Sequence, residues 1–214
     1  VYKRQVNILV AAQQAGVAKT VLAGSLEEPD PAEAEPIPAS PYSASKWCAS
    51  GYARMMHALY GTRIATARIF MVYGPGQRDL RKLVPYVSLC AARGEAPQLM
   101  SGGRPVDWIY IDDVVDGLIR MSMAGPDDGS YVDLGSGSLV TTGDIACSIC
   151  ELAGTGSSPD IGALPDRPME QVRVANAVKT EELIGWIAAK SLEDGLRETY
   201  EWYRLLPEAS ADAG

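Results

Sequence analysis

Tyr42 and Lys46 stand four residues apart in the run SPYSASKWCAS, residues 40–50. On a helix, positions i and i+4 share a face, so this spacing sets a phenol beside an ammonium group. A phenol titrates near pH 10 and is a poor base at neutral pH. A neighbouring cation stabilises the phenolate and lowers that value. Such a tyrosine can pass a proton to or from an alcohol or ketone oxygen while hydride moves to or from a nicotinamide. A second hydroxyl, such as that of Ser25, could hold the same oxygen. The structural alternative is a surface helix with a chance Y-x-x-x-K, unsurprising in a chain with 10 tyrosines.

These side chains need elements to position them. Residues 6–16 carry helical periodicity and stop at Gly16, and residues 19–25 read as a short buried strand. A Pro-rich acidic loop follows. A long helix is expected over 41–60, stopped by Gly61, then a second buried strand over 63–74 closed by the turn GPGQ. The pattern next gives a helix over 80–95, strands at 97–103 and 106–111, and a helix from 112 that Asp112 or Asp113 can cap. Then come a strand at 130–135, a helix at 141–154, a strand at 170–175 and a short helix at 179–185. An amphipathic helix over 191–206 opens with the capping box Ser191…Asp194, Asp standing in for the usual Glu. Strands alternate with helices, so the fold class is α/β with a mostly parallel sheet. Ser25 ends a strand, and in open α/β sheets ligands bind at the carboxyl ends of strands. Ser25, the Tyr42 helix and Phe70–Met71 are expected to converge on one crevice.

Bulk properties narrow the function. The chain has 214 residues, 47% apolar and 21% charged, with net charge −8 and a pI near 4.7. That balance argues against a nucleic-acid or membrane-surface binder, since charge-driven phosphate binding wants a basic face. No apolar run is long enough to span a membrane. The opening residues lack a signal-peptide layout, and Cys48, Cys90, Cys147 and Cys150 follow no disulfide framework, so the expected compartment is the cytoplasm. Cys147 and Cys150 form C-x-x-C inside a helical pattern, and the one histidine, His57, lies in another segment, so no metal site is expected. The run YVDLGSGSLVTT imitates a dinucleotide loop but has Val140 where the third glycine belongs.

Read together, VLAGS, PYSASK, ARIFMVYGPGQ, SGGRPVDWIYIDDVVDGL, YVDLGSG, DRPMEQVRVA and SLEDGLRETYEWY resemble the extended short-chain dehydrogenase/reductases, the NAD-dependent nucleotide-sugar epimerases and dehydratases. The resemblance runs from about residue 6 to 206 and holds in order and spacing. It implies Tyr42 as catalytic acid/base, Lys46 as the group that binds the nicotinamide ribose and lowers the Tyr42 pKa, and Ser25 as the partner of the reacting oxygen. Ala23, Ile69 and Phe70 would line the cofactor side. Met71, Lys82, Leu83, Arg104 and Arg167 would face a nucleotide-diphosphate sugar, Arg167 matching an arginine that forks onto the diphosphate.

Departures from the family pattern bear on the substrate. Met71 stands where many members have Asn, and Val106 where many have Arg, with Arg104 two residues earlier. Met169 replaces a glycine in the R-x-G-[DE] block. The run Ser25-Leu26-Glu27 matches Thr-Asp-Glu of the 4,6-dehydratase branch, and Leu26 cannot donate the proton that loss of water needs. Glu27 could still act as a base.

The resemblance implies a dinucleotide-binding (Rossmann) domain for residues 1–75, lacking its front half, with 1–5 a non-native junction. Residues 76–206 would form a smaller substrate part with segments returning to the sheet, and 207–214 a disordered tail. The expected function is an NAD(P)-dependent nucleotide-sugar epimerase acting through a transient keto sugar, as a homodimer with NAD, NADP remaining open. No G-x-G-x-x-G occurs, so the 214 residues alone are expected to be inactive. A non-catalytic nucleotide-binding protein on the same fold is the alternative.

Overall fold

The computed structural model describes residues 2–30, 35–165 and 171–209, with side chains from residue 4 onward. The chain divides into two compact units. The first comprises Val1–Phe70, Val114–Gly137 and Pro168–Ala188; the second comprises Met71–Asp113, Ser138–Arg167 and Ala189–Gly214.

The first unit is built on three parallel strands in the order β1-β2-β6: β1 (Thr20–Ser25), β2 (Ile64–Ile69) and β6 (Asp128–Leu134). β2 lies between its two partners, and Ile64, Ala65, Thr66 and Ala67 are all buried. A central parallel strand is covered on both faces, which explains an apolar run without alternation. Helix α1 (Tyr2–Gln14) takes in residues 2–5, which sequence had set aside as a junction. Helix α2 (Pro41–Tyr60) connects β1 to β2. Leu9 of α1, Leu22 of β1, Ile64 of β2 and Ala49, Ala53 and Met56 of α2 form one buried cluster. The small alanines let the helix approach the sheet closely. Strand pairing then fixes a common end: Ser25 sits opposite Ile69, and Ile69 opposite Leu134.

The second unit holds β3 (Met71–Tyr73), β5 (Pro105–Tyr110) and β7 (Leu139–Thr141), with β3 parallel and β7 antiparallel to β5. A short parallel pair joins β4 (Gln98–Leu99) to β8 (Asp160–Ile161). Helices α3 (Leu83–Arg93), α5 (Thr142–Ala153) and α7 (Leu192–Tyr203) enclose a core that includes Val87, Trp108, Ile149 and Tyr200. Cys150 belongs to this core, and all four cysteines are free thiols. Helices α4 (Ile111–Met123) and α6 (Ala177–Ile184) complete the described regular structure, with a 3-10 turn at Pro207–Ala209.

Several expectations are corrected. The single strand expected over 63–74 is two strands in different sheets. The break falls at Phe70, whose N–H donates to the Leu134 carbonyl (3.1 Å) before β3 pairs with β5. Periodicity records that a segment is buried, not which partner it pairs with. The strand expected over 170–175 does not form in its described part, residues 171–175. There Arg173 binds two loop carbonyls, and the Asn176 N–H donates to the Asp133 carboxylate (3.1 Å), so side chains take the place of a ladder. Asp113 does not cap α4 from outside; it lies within the helix and accepts the N–H groups of Ala189 and Lys190 (3.1 and 3.0 Å). Ala209, expected in a disordered tail, is buried with Leu89 and Tyr203, and the Glu208 carbonyl accepts from Arg93 (2.9 Å). Residues 210–214 lie outside the described residues.

Candidate active site

Helix α2 presents Tyr42 from its first turn. The Ser40 side chain accepts the Ser43 N–H (3.1 Å), and Pro41 occupies the start of the helix, where no N–H is needed. The Ser43 hydroxyl, fully buried, donates to the Glu27 carbonyl (2.6 Å). The first turn of α2 is thereby tied to the loop that leaves β1, which carries Ser25.

Ser25 ends β1 and is buried, 6% exposed. Its Oγ accepts the Glu27 N–H (3.2 Å), and its hydroxyl acts to lower the Tyr42 pKa. Tyr42 is 52% exposed. Lys46 lies one turn on, with Nζ 5.7 Å from the Tyr42 ring centroid, and donates to the Ala23 carbonyl (2.8 Å). The three residues singled out by spacing and resemblance therefore meet at the carboxyl end of β1.

Their electrostatics differ from the expectation. Burial raises the Tyr42 pKa above its usual value of 10.0; the Ser25 hydrogen bond works the other way, and the charges of Glu27 and Glu28 push it up further. Burial lowers the Lys46 pKa, with Glu28 opposing. Spacing correctly set the ammonium beside the phenol, but two carboxylates from the loop after β1 join them, and pattern reading weighed neither against it.

Glu28 is the group sequence reasoning missed. Only 1% exposed, it accepts the Ser25 N–H through Oε1 (2.8 Å) and the Tyr131 O–H through Oε2 (2.9 Å). The Arg68 guanidinium lies 4.3 Å from the Tyr131 ring centroid and pairs with Asp133 (3.2 Å), and Arg54 lies 5.7 Å from the same ring. Arg173 donates to the carbonyls of Leu26 and Glu28 (3.1 and 2.9 Å). No local motif signals this network, because Tyr131 and Arg173 are 103 and 145 positions from Glu28. The one available clue was a glutamate directly after the active-loop residues.

The remaining expected residues are distributed between the units. Ala23 is exposed on β1, Ile69 is half-buried at the end of β2 opposite Ser25, and Phe70 is buried beyond it. Met71 opens β3 and pairs with Trp108 in the second unit. Lys82 is exposed at the N-cap of α3 with no side-chain cap bond, and Leu83 packs partly against the second core. Arg104 is half-buried before β5, its carbonyl accepting the Thr142 N–H (3.0 Å). Arg167 lies outside the described residues.

The NAD dependent epimerase/dehydratase family matches residues 2–132, more than half of the chain. The chain belongs to that family. It is 31% identical over 160 residues to the dTDP-glucose 4,6-dehydratase of Xanthomonas campestris pv. campestris, covering 70% of this chain and 45% of that protein. It is 32% identical over 152 residues to UDP-glucuronic acid decarboxylase 5 of Arabidopsis thaliana, covering 70% and 43%. The crystal structure of Thermus thermophilus UDP-glucose 4-epimerase, a complex with NAD, superposes with a TM-score of 0.79 at 26% identity, covering 94% of this chain and 68% of that one. The chain spans 22% to 45% of the length of the first curated relatives it matches.

Proposed function

We propose that the protein is an NAD(P)-dependent nucleotide-sugar epimerase-type oxidoreductase that works through a transient keto sugar. The observation that carries this reading is the convergence of Ser25, Tyr42 and Lys46 at the end of β1, with the Ser25 hydroxyl acting on the Tyr42 phenol and Lys46 seated on the Ala23 carbonyl. The family membership and the nucleotide-sugar names of the relatives support it.

The residues present fit the nicotinamide end of NAD: a buried hydroxyl, a phenol and an ammonium share one strand end, beside the exposed Ala23. NAD supplies the hydride acceptor and, in its oxidised form, a positively charged ring. Ser25 and Tyr42 hold the hydroxyl oxygen of the sugar. Tyr42, as phenolate, would take the hydroxyl proton while the hydride of the same carbon passes to bound NAD, so that C–O becomes C=O. On re-reduction Tyr42 would return the proton to the keto oxygen, with hydride from the reduced nicotinamide reaching the opposite face, which inverts the centre. With its pKa raised, Tyr42 is protonated at neutral pH and suited to the acid step. Its basic form needs positive charge nearby, which Lys46 offers in part.

Leu26 is buried (5%) and carries no proton, which disfavours the 4,6-dehydratase branch; Glu27, whose charge is felt at Tyr42, is the candidate base. Arg104 and Arg167 are proposed to bind the sugar's diphosphate. A homodimer in the cytoplasm is the expected state, and no described helix is long and apolar enough to cross a membrane.

Tyr42→Phe, made in a parent protein that carries this chain together with a glycine-rich dinucleotide-binding loop and turns over a nucleotide sugar, tests the reading. Removing general acid–base catalysis lowers turnover of a nucleotide sugar by roughly 10²–10⁴-fold. The melting temperature stays near that of the parent, since the ring is half exposed. Turnover equal to the parent's overturns the assignment.

A further inference from the structure

A buried carboxylate is costly unless its oxygens are paired. Both oxygens of Glu28 are paired, and its own N–H donates to the Ser25 carbonyl (3.1 Å). Glu28 therefore grips Ser25 at both of its backbone groups, through Oε1 on the N–H and through its amide on the carbonyl. The fit is close: a Cβ on Gly24 would lie 2.7 Å from Glu28 Oε1. The charge of the same carboxylate is felt at Tyr42 and Lys46. Around it stand Tyr131 and Asp133 on β6, Arg68 on β2, Arg54 on α2, and Arg173 with its ion-pair partner Asp30. Tyr42 itself is faced by Ser25, Glu27 and Glu28 from the loop and by Lys46 from its own helix.

We propose that Glu28 is a positioning residue for the catalytic hydroxyls: it fixes Ser25 through both of its backbone groups and sets a buried carboxylate at the strand end that Tyr42 faces. The idea rests on the proposed role of Tyr42, and its test reads neither substrate nor turnover. A group that merely stabilises the turn would change only the melting temperature when altered.

Two variants separate grip from charge. Glu28→Gln keeps an acceptor for the Ser25 N–H and removes the charge. Glu28→Met keeps the length and removes both. In the 214-residue chain, ¹³Cζ-tyrosine NMR follows the Tyr42 titration, and amide hydrogen exchange follows Ser25 relative to Leu22 of the same strand. In Glu28→Gln the Tyr42 midpoint is expected to fall while Ser25 stays protected. In Glu28→Met, Ser25 exchange is expected to rise roughly tenfold or more, the loss of a hydrogen bond to a charged group. A Tyr42 midpoint that does not fall in Glu28→Gln, or unchanged Ser25 exchange in Glu28→Met, overturns the proposal. Should Glu28→Met fail to fold, the Tyr42 midpoint in Glu28→Gln decides alone. If Tyr42→Phe retains turnover, the functional reading fails, whatever these titrations give.

Discussion

Tyr42 stands among one ammonium and two carboxylates. Because burial and the two carboxylates raise its pKa, the free protein should titrate Tyr42 above pH 10.0, read by ¹³Cζ-tyrosine NMR or ultraviolet difference spectra. Oxidised NAD brings positive charge, so its binding is expected to move that midpoint down. A midpoint below 10.0 in the free protein would mean that Lys46 dominates after all. At Gly24 the constraint is steric. A methyl group there meets Glu28 Oε1 at 2.7 Å, Thr66 Cγ2 at 2.9 Å and the Ala67 carbonyl at 3.1 Å. Gly24→Ala is expected to cost about 1–3 kcal/mol, as overpacking in a close-packed site does, measured by denaturant unfolding.

At the scale of elements, the first turn of α2 matters most, since it carries Tyr42 and rests on the Ser40 cap and the bond of the Ser43 hydroxyl to the Glu27 carbonyl. Ser40→Ala removes the acceptor of the Ser43 N–H. It should cost about 1 kcal/mol, a drop of about 2–4 °C in melting temperature. Turnover should fall more than stability alone explains, because fraying displaces Tyr42. In the second unit, Tyr73 and Tyr110 stack edge to face at 5.6 Å between centroids, and the Tyr110 O–H donates to Glu198 (2.9 Å). Burial raises both pKa values, that of Tyr110 to about 12. A phenol held neutral in the fold binds its proton more tightly than in the unfolded chain. Its contribution is therefore complete below pH 10.0 and is lost as pH rises towards about 12. Tyr110→Phe should flatten the alkaline fall of the melting temperature.

For the whole molecule, the net charge of −8 opposes an anionic ligand at long range, so the proposed binding of a nucleotide would have to rest on local arginines and helix ends. The 214 residues contain no G-x-G-x-x-G run. That turn is what presents a helix N-terminus to a pyrophosphate. Calorimetry of this chain with NAD should therefore show no tight binding, and a dissociation constant in the low micromolar range or below would disprove the expectation.

Sequence alone determined a good deal. Helix α2 runs over 41–60 as periodicity and Gly61 required, because capping and chain stops are local chemistry. The α/β alternation, Ser25 at a strand end and Tyr42 beside Lys46 are likewise local, since each follows from spacing within one element or from element order. Tertiary structure decided what pairs with what. It split 63–74 between two sheets at Phe70, left 171–175 without a ladder and turned Asp113 inward to the backbone of 189–190. It also decided the charge at the site. Glu28 reads as one more acidic loop residue until β6 brings Tyr131 to it and the segment around Arg173 closes over its carbonyl. Electrostatics and strand pairing are sums over neighbours far apart in the chain, and no window of sequence contains them.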